Sequence, residues 1–154
     1  MPSFVLLFAV PVASVEVPVS AETLFAFIAD LSNYPSWLEL VHEAVPEANN
    51  TAAKTWSVEL RARLGVFARS KRLRMVRTTC DTPNQVVFER QELDSRRHSA
   101  WILRAKVTST ATGAMLETNL HYSGSLFTGG VLERALADQI NAGSEKLIQR
   151  LSAK

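Results

Sequence analysis

Three histidines, His42, His98 and His121, are the side chains of this chain best suited to moving protons near neutral pH. None stands at the His-x-x-x-His or His-x-x-Glu-His spacing that sets two ligands on one helix face, so no metal site is expected. The best acid/base pair is Glu117 with His121, which would share a strand face about 13 Å apart along it, too far for direct contact. Asn119 and Ser123 lie on that same face, whereas Leu116, Leu120 and Tyr122 have the opposite parity. The Glu117–His121 face is therefore expected to meet solvent unless a β-bulge reverses the assignment. Cys80 stands alone beside a turn with no adjacent base, which argues against both a disulfide and a nucleophile. The chain contains no Gly-x-Ser-x-Gly elbow, no Gly-x-x-x-x-Gly-Lys cradle and no Gly-x-Gly-x-x-Gly fingerprint, so no nucleotide or other cofactor is expected.

Charge is the second chemical feature, and it is distributed unevenly. Residues 1–53 hold six acids and no Lys or Arg, whereas residues 54–77 hold eight bases against Glu59 alone. Arg61 and Arg63 fall on the polar side of their strand. On the next strand, Arg72 and Arg74 have one parity, while Arg69, Lys71 and Arg77 share the parity of Leu73 and Met75. Both parities cannot be buried. Three readings stand: a solvated face balanced by Glu89, Glu92 and Asp94, basic groups at the sheet rim or a cavity mouth that meet a ligand carboxylate or phosphate, or a weak contact between segment 54–77 and an anionic membrane. Between Arg61 and Arg77, Phe67 is the only aromatic residue, which is a poor stacking platform for nucleic acid.

The elements that would position these groups follow from periodicity. A first strand runs through Val10, Val12, Val15 and Val17, with Pro11 and Pro18 favouring an edge. Ser20 is a good N-cap for a helix that carries Leu24, Ile28 and Leu31 on one face and ends near Asp30. Ser32-Asn33-Tyr34-Pro35-Ser36-Trp37 then predicts a short second helix or turn. From about 41 to 124 the period is two, broken by turn signals at 48–51, 64–65, 81–84, 94–97 and 110–113, which gives six strands in an antiparallel meander with one apolar face. After Gly129-Gly130, the residues Leu132, Leu136, Ile140, Gly143, Leu147 and Leu151 make one stripe on a helix about 30 Å long, which should cover the apolar face of the sheet.

With 154 residues, 47% hydrophobic and 21% charged, the composition is that of one globular domain over 1–154 rather than a disordered or collagenous chain. No run approaches the 18 or so apolar residues of a membrane span. The stretch Phe4–Val10 lacks the positive flank of a secretory signal and reads as the lead-in to the first strand, so a cytoplasmic location is expected.

The stretch Val15-Glu-Val-Pro-Val-Ser-Ala-Glu-Thr-Leu-Phe-Ala-Phe-Ile-Ala-Asp30-Leu-Ser-Asn-Tyr34-Pro35-Ser-Trp37 resembles the opening of the polyketide cyclase/dehydrase and lipid-transport group of the START-like superfamily. There, an apolar helix ends in Asp and is followed by Pro-x-Trp. The order of elements is similar to the helix-grip fold. The resemblance implies an α+β domain in which a seven-stranded curved antiparallel sheet wraps a long C-terminal helix, with two short helices between strands 1 and 2. It also implies a hydrophobic small-molecule ligand that is lipid, quinone or polyketide-like. Such a group has no shared catalytic set, so no catalytic residue is assigned. A cyclase or dehydratase using His121, Glu117 or Tyr122 is the enzymatic alternative.

One helix does not fill the concave side of seven strands, and the gap becomes a pocket. Its expected walls are Trp56, Val58, Leu60, Leu73, Met75, Phe88, Trp101, Leu103, Leu116, Leu120 and Tyr122, closed by Leu132, Leu136 and Ile140. The same side chains could instead simply pack on one another. Leu126 and Phe127, in Ser123–Gly130, read either as a lid or as a hydrophobic staple for the long helix, with Gly65 as the opposing lip. Monomer and homodimer are both compatible with the sequence.

Overall fold

The computed structural model describes residues 13–48, 53–64, 67–123 and 131–152, with side chains except at 62–64, 67–69 and 131–133. Val10, Val12, Gly65, Leu126 and Phe127 lie outside the described residues, as does the side chain of Leu132. The chain forms β1 (Ala13–Val17), α1 (Ala21–Ile28), a 3-10 helix (Leu31–Ser36), β2 (Val41–Pro46), β3 (Thr55–Leu64), β4 (Phe67–Asp81), β5 (Gln85–Arg90), β6 (Trp101–Thr110), β7 (Gly113–Tyr122) and α2 (Val131–Ser152).

Each boundary has a local cause. Ser20 caps α1, its hydroxyl oxygen accepting from the Thr23 amide at 3.1 Å, and Glu22 sits in the first turn where the helix dipole favours an acid. The helix closes at Ala29, one residue before Asp30, because Asp30 is needed as the cap of the next element. Its carboxylate accepts from the Ser32 amide at 2.9 Å and starts the 3-10 helix. Asn33 ties the two helices together by donating from its side-chain amide to the Phe27 carbonyl at 3.0 Å.

All seven strands make one curved antiparallel sheet in the order β1-β7-β6-β5-β4-β3-β2. β2 to β7 form the expected meander, and β1 joins the free side of β7, pairing Ala13 with Thr118 and Val17 with Ala114. The inner face carries the core. Along β6, Trp101, Leu103, Ala105 and Val107 are buried and the residues between them are not. The outer face is less uniformly polar than the alternation suggested, since Thr55 and Val76, paired across β3 and β4, are buried there with Val87.

α2 buries Leu136, Ile140, Gly143, Leu147 and Leu151, the expected stripe as far as side chains are described. It does not cover the whole sheet. It lies mainly against β1 and β7, while α1 covers β6 and β7 and the 3-10 helix covers β2. Gly143 is where α2 meets the segment after the 3-10 helix, and a Cβ there would come within 2.2 Å of the Trp37 carbonyl oxygen. Glycine inside a helix costs about 1 kcal/mol relative to alanine, and here the close approach requires it.

A polar clasp holds the β4–β5 end of the sheet. The Glu92 carboxylate accepts from Arg90 Nε at 2.6 Å and from the Arg74 amide at 3.1 Å. Partial burial pushes the Glu92 carboxyl up, but the hydrogen bonds from Arg90 and Arg74 and the Arg90 charge outweigh it and leave it below its ordinary value.

Two outcomes follow from these contacts. Gly143→Ala should lose about 1–3 kcal/mol of stability in urea unfolding despite its better helix propensity, and a stabilised variant would show that α2 has slack against Trp37. A carboxyl lowered on folding contributes stability above its unfolded pKa, near 4.5, and loses it as pH falls through the folded value. Glu92→Gln should therefore unfold about 1–3 kcal/mol more easily at pH 7, with the gap from the unchanged protein closing in urea titrations below pH 4.

Candidate functional site

The sheet register draws the inward residues of distant segments into one layer. Val58 stands opposite Leu73, Trp56 opposite Met75, Leu103 opposite Leu120 and Trp101 opposite Tyr122. Where α2 and the 3-10 helix fail to meet over this layer, an apolar cavity of about 40 Å³ remains, lined by Leu31, Leu38, Leu40, Val41, Val58, Leu60, Leu73, Met75, Trp101, Leu103, Leu120 and Leu136. Room for one water needs about 10–15 Å³, so the interior has a real void. It is nevertheless far below the roughly 300–1,000 Å³ of a formed small-molecule site.

Eight of the residues expected to enclose a pocket line this cavity: Val58, Leu60, Leu73, Met75, Trp101, Leu103, Leu120 and Leu136. Trp56 and Phe88 instead pack edge to face, ring centroids 5.6 Å apart, in an aromatic cluster completed by Tyr34 at 6.1 Å from Phe88. The Trp56 indole N–H donates to the Ser32 hydroxyl at 3.1 Å, which turns that ring toward the 3-10 helix. Leu116 and Ile140 are buried in the core outside the lining, and Tyr122 rests on Trp101 with centroids 4.6 Å apart. Leu31, Leu38, Leu40 and Val41 were not foreseen as walls. Leu31 was expected on the apolar face of the first helix, and the signal for the others was the apolar Leu38, Leu40 and Val41 directly after Trp37, between the expected turn and the first strand of the meander.

Every lining side chain is a hydrocarbon, a thioether or an indole. The Trp101 indole N–H is buried without an acceptor among the described residues, as is that of Trp37. Tyr34 is no acid/base group: its hydroxyl donates to the Ile28 carbonyl at 2.9 Å, and complete burial, aided by the charge of Asp30, raises its pKa far above the ordinary phenol value.

The acid/base candidates sit elsewhere. β6 and β7 pair without a break from Thr110–Gly113 to Trp101–Tyr122, so no bulge reverses β7. Glu117 and His121 are on the outer face, His121 exposed opposite Ile102. An open polar depression of about 210 Å³ lies there, between Gln85, Arg104, Lys106, Glu117 and Asn119. His98 is in the β5–β6 loop, 2.8 Å from an Asp94 oxygen, and this hydrogen bond with that from the Arg96 amide holds the Asp94 carboxyl below its ordinary value. His42 is exposed at the register shift of β2. Cys80 is exposed and 3.9 Å from the Thr82 hydroxyl. Among the described residues, no three His, Cys, Asp or Glu side chains gather as a metal site requires.

The basic strand is resolved by its neighbours. Arg61 pairs with Glu59 at 3.2 Å, Arg72 with Glu43 at 3.0 Å and Glu59 at 3.2 Å, and Arg74 with Glu47 at 2.8 Å. The balancing carboxylates thus come mainly from β2, β3 and the residue after β2. Of the acids expected in that role, Glu92 binds Arg90 and the Arg74 amide, Glu89 accepts from Thr78, and Asp94 meets His98. Arg77 points inward and donates to the Ala29 carbonyl at 2.9 Å, a cation closing the C-terminal end of α1. Lys71 stands opposite Leu60 on the inner face.

Comparison with known proteins agrees with this architecture. No curated protein matches the chain. A START superfamily protein from Mycobacterium smegmatis superposes with a TM-score of 0.69 at 15% identity, covering 92% of this chain and 95% of that one. A STAR-related lipid transfer protein from Xanthomonas axonopodis gives 0.62 at 13% identity, over 90% of this chain and 82% of that fragment. The di-domain ARO/CYC protein StfQ of the steffimycin biosynthetic pathway gives 0.60 at 14% identity over 93% of this chain. The chain spans about half the length of StfQ, 49% of it. No helix among the described residues is long and apolar enough to cross a membrane. The family model for polyketide cyclase / dehydrase and lipid transport matches residues 11–152, and the chain belongs to that family.

Proposed function

We propose that this protein binds a hydrophobic small molecule, lipid, quinone or polyketide-like, between its sheet and α2, and that it acts as a carrier or sensor of that molecule. The observation that carries the reading is a cavity whose twelve lining residues are all apolar or aromatic, in a chain of this family. At about 40 Å³ the cavity is in a closed form, and a guest must displace side chains to enter. Met75, unbranched and adaptable, and Leu60, the one partly exposed wall residue, are the parts of the lining best able to yield. The ligand-binding set is then the eight lining residues foreseen from sequence, joined by Leu31, Leu38, Leu40 and Val41.

A cyclase or dehydratase reading has less support. Glu117 and His121 project from the opposite side of the sheet, and no side chain of the lining can give or take a proton at neutral pH.

On the favoured reading, residues 1–154 act as one helix-grip domain, as monomer or homodimer. Ion pairing of Arg61, Arg72 and Arg74 weakens any attraction to anionic membrane and leaves nucleic acid little to bind.

A series of 1-alkanols tests the cavity by calorimetric titration. Each added CH₂ should tighten binding by about 0.8 kcal/mol until the space is full. Leu103→Trp should abolish binding while urea unfolding stays cooperative, and Leu73→Ala should favour the longer alkanols. Absence of alkanol binding to the unchanged protein would overturn the reading, as would organic extracts of natively purified protein that hold no apolar compound by mass spectrometry.

A further inference from the structure

The cavity has one weak point in its wall. Of the twelve lining residues, eleven are buried and Leu60 alone is partly exposed, which places the mouth at Leu60. The residue directly opposite Leu60 in the β3–β4 register is Lys71. Lys71 shares its strand parity with Leu73 and Met75, both in the lining, so it belongs to the inner side of the sheet at that mouth. It is only partly exposed.

Its neighbours make its state unusual. Five basic side chains are described between residues 61 and 77, and the other four have partners: Arg61, Arg72 and Arg74 hold carboxylates and Arg77 holds the Ala29 carbonyl. Lys71 has no ion-pair partner among the described residues. The acids of this region, Glu43, Glu47 and Glu59, are engaged by those arginines. The ammonium of a partly exposed lysine at the lip of a hydrocarbon cavity gains most from an anion brought by the guest itself, because the apolar wall beside it strengthens the pair.

We propose that Lys71 is a head-group site, and that the ligand is an amphipath with an apolar body and one terminal anionic group, a carboxylate or a phosphate. The proposal rests on the hydrophobic-ligand reading above and narrows it. The tail takes the space behind Leu60, and the head stays at the rim, where Lys71 donates to its oxygens. Neutral molecules of the same length bind less tightly.

Octanoate and 1-octanol separate the charge from the tail. Calorimetric titration of the full chain should give tighter binding of octanoate than of 1-octanol. Lys71→Met should weaken octanoate about tenfold and change 1-octanol less than twofold, while Lys71→Arg keeps octanoate within about threefold. Lys106→Met, which removes a charge from the outer face, should leave both unchanged. Octyl phosphate tests the other head group and should follow octanoate. If 1-octanol binds but octanoate is indifferent to Lys71→Met, the head-group site is overturned and the hydrophobic cavity stands. If neither compound binds the unchanged protein, the cavity reading falls and this proposal with it. If Lys71→Met reduces sedimentation with phosphatidylglycerol vesicles and spares octanoate, the lysine serves a membrane surface and the proposal is wrong.

Discussion

The structure depends on how an apolar sheet face wider than any single helix is covered. Seven strands about 4.8 Å apart present a width that one α-helix, about 10 Å across, cannot span. α2 lies mainly against β1 and β7, and most of the rest falls to α1 and to the 3-10 helix at Leu31–Ser36. The three pieces must meet closely, which is why Gly143 approaches the Trp37 carbonyl without a side chain. Where they do not meet, the hydrocarbon walls enclose space, and the function proposed for this protein is a use of that incomplete cover.

The same constraint gives meaning to the residues that carry the family resemblance. Asp30 caps the 3-10 helix, Asn33 and Tyr34 hydrogen-bond the carbonyls of Phe27 and Ile28, and Tyr34 and Trp37 fill the core beside Phe88. The contacts these residues make are structural. They fix the angle at which the chain leaves α1 and brings Leu38, Leu40 and Val41 to the cavity wall.

Charge follows a parallel logic. An acidic first third and a basic second segment look in sequence like two separate fields. The meander lays β2 beside β3 and β3 beside β4, so Glu43 and Glu47 reach Arg72 and Arg74 across 29 and 27 positions of chain. Surface pairs of this kind are worth little individually. Their larger effect is on potential: Arg61, Arg72 and Arg74 are each met by a carboxylate, whereas Lys71 on the inner side has no ion-pair partner among the described residues.

Period-two alternation, the Ser20 cap, the turn signals and the spacing of the α2 stripe determined the element order, the antiparallel meander and the inward parity of β3, β4, β6 and β7, because these are local consequences of how side chains alternate. The outward placement of Glu117 and His121 was legible for the same reason. Tertiary structure alone decided which inward residues meet a void and which meet each other. Trp56 turned to Ser32 and Phe88 to Tyr34, while Leu31, Leu38, Leu40 and Val41 became walls, since filling depends on where three separate helices come to rest over one curved sheet. Partner choice was equally beyond local pattern: that Arg74 takes Glu47 from β2's side, and that Lys71 takes no carboxylate among the described residues, follows from strand neighbours distant in sequence.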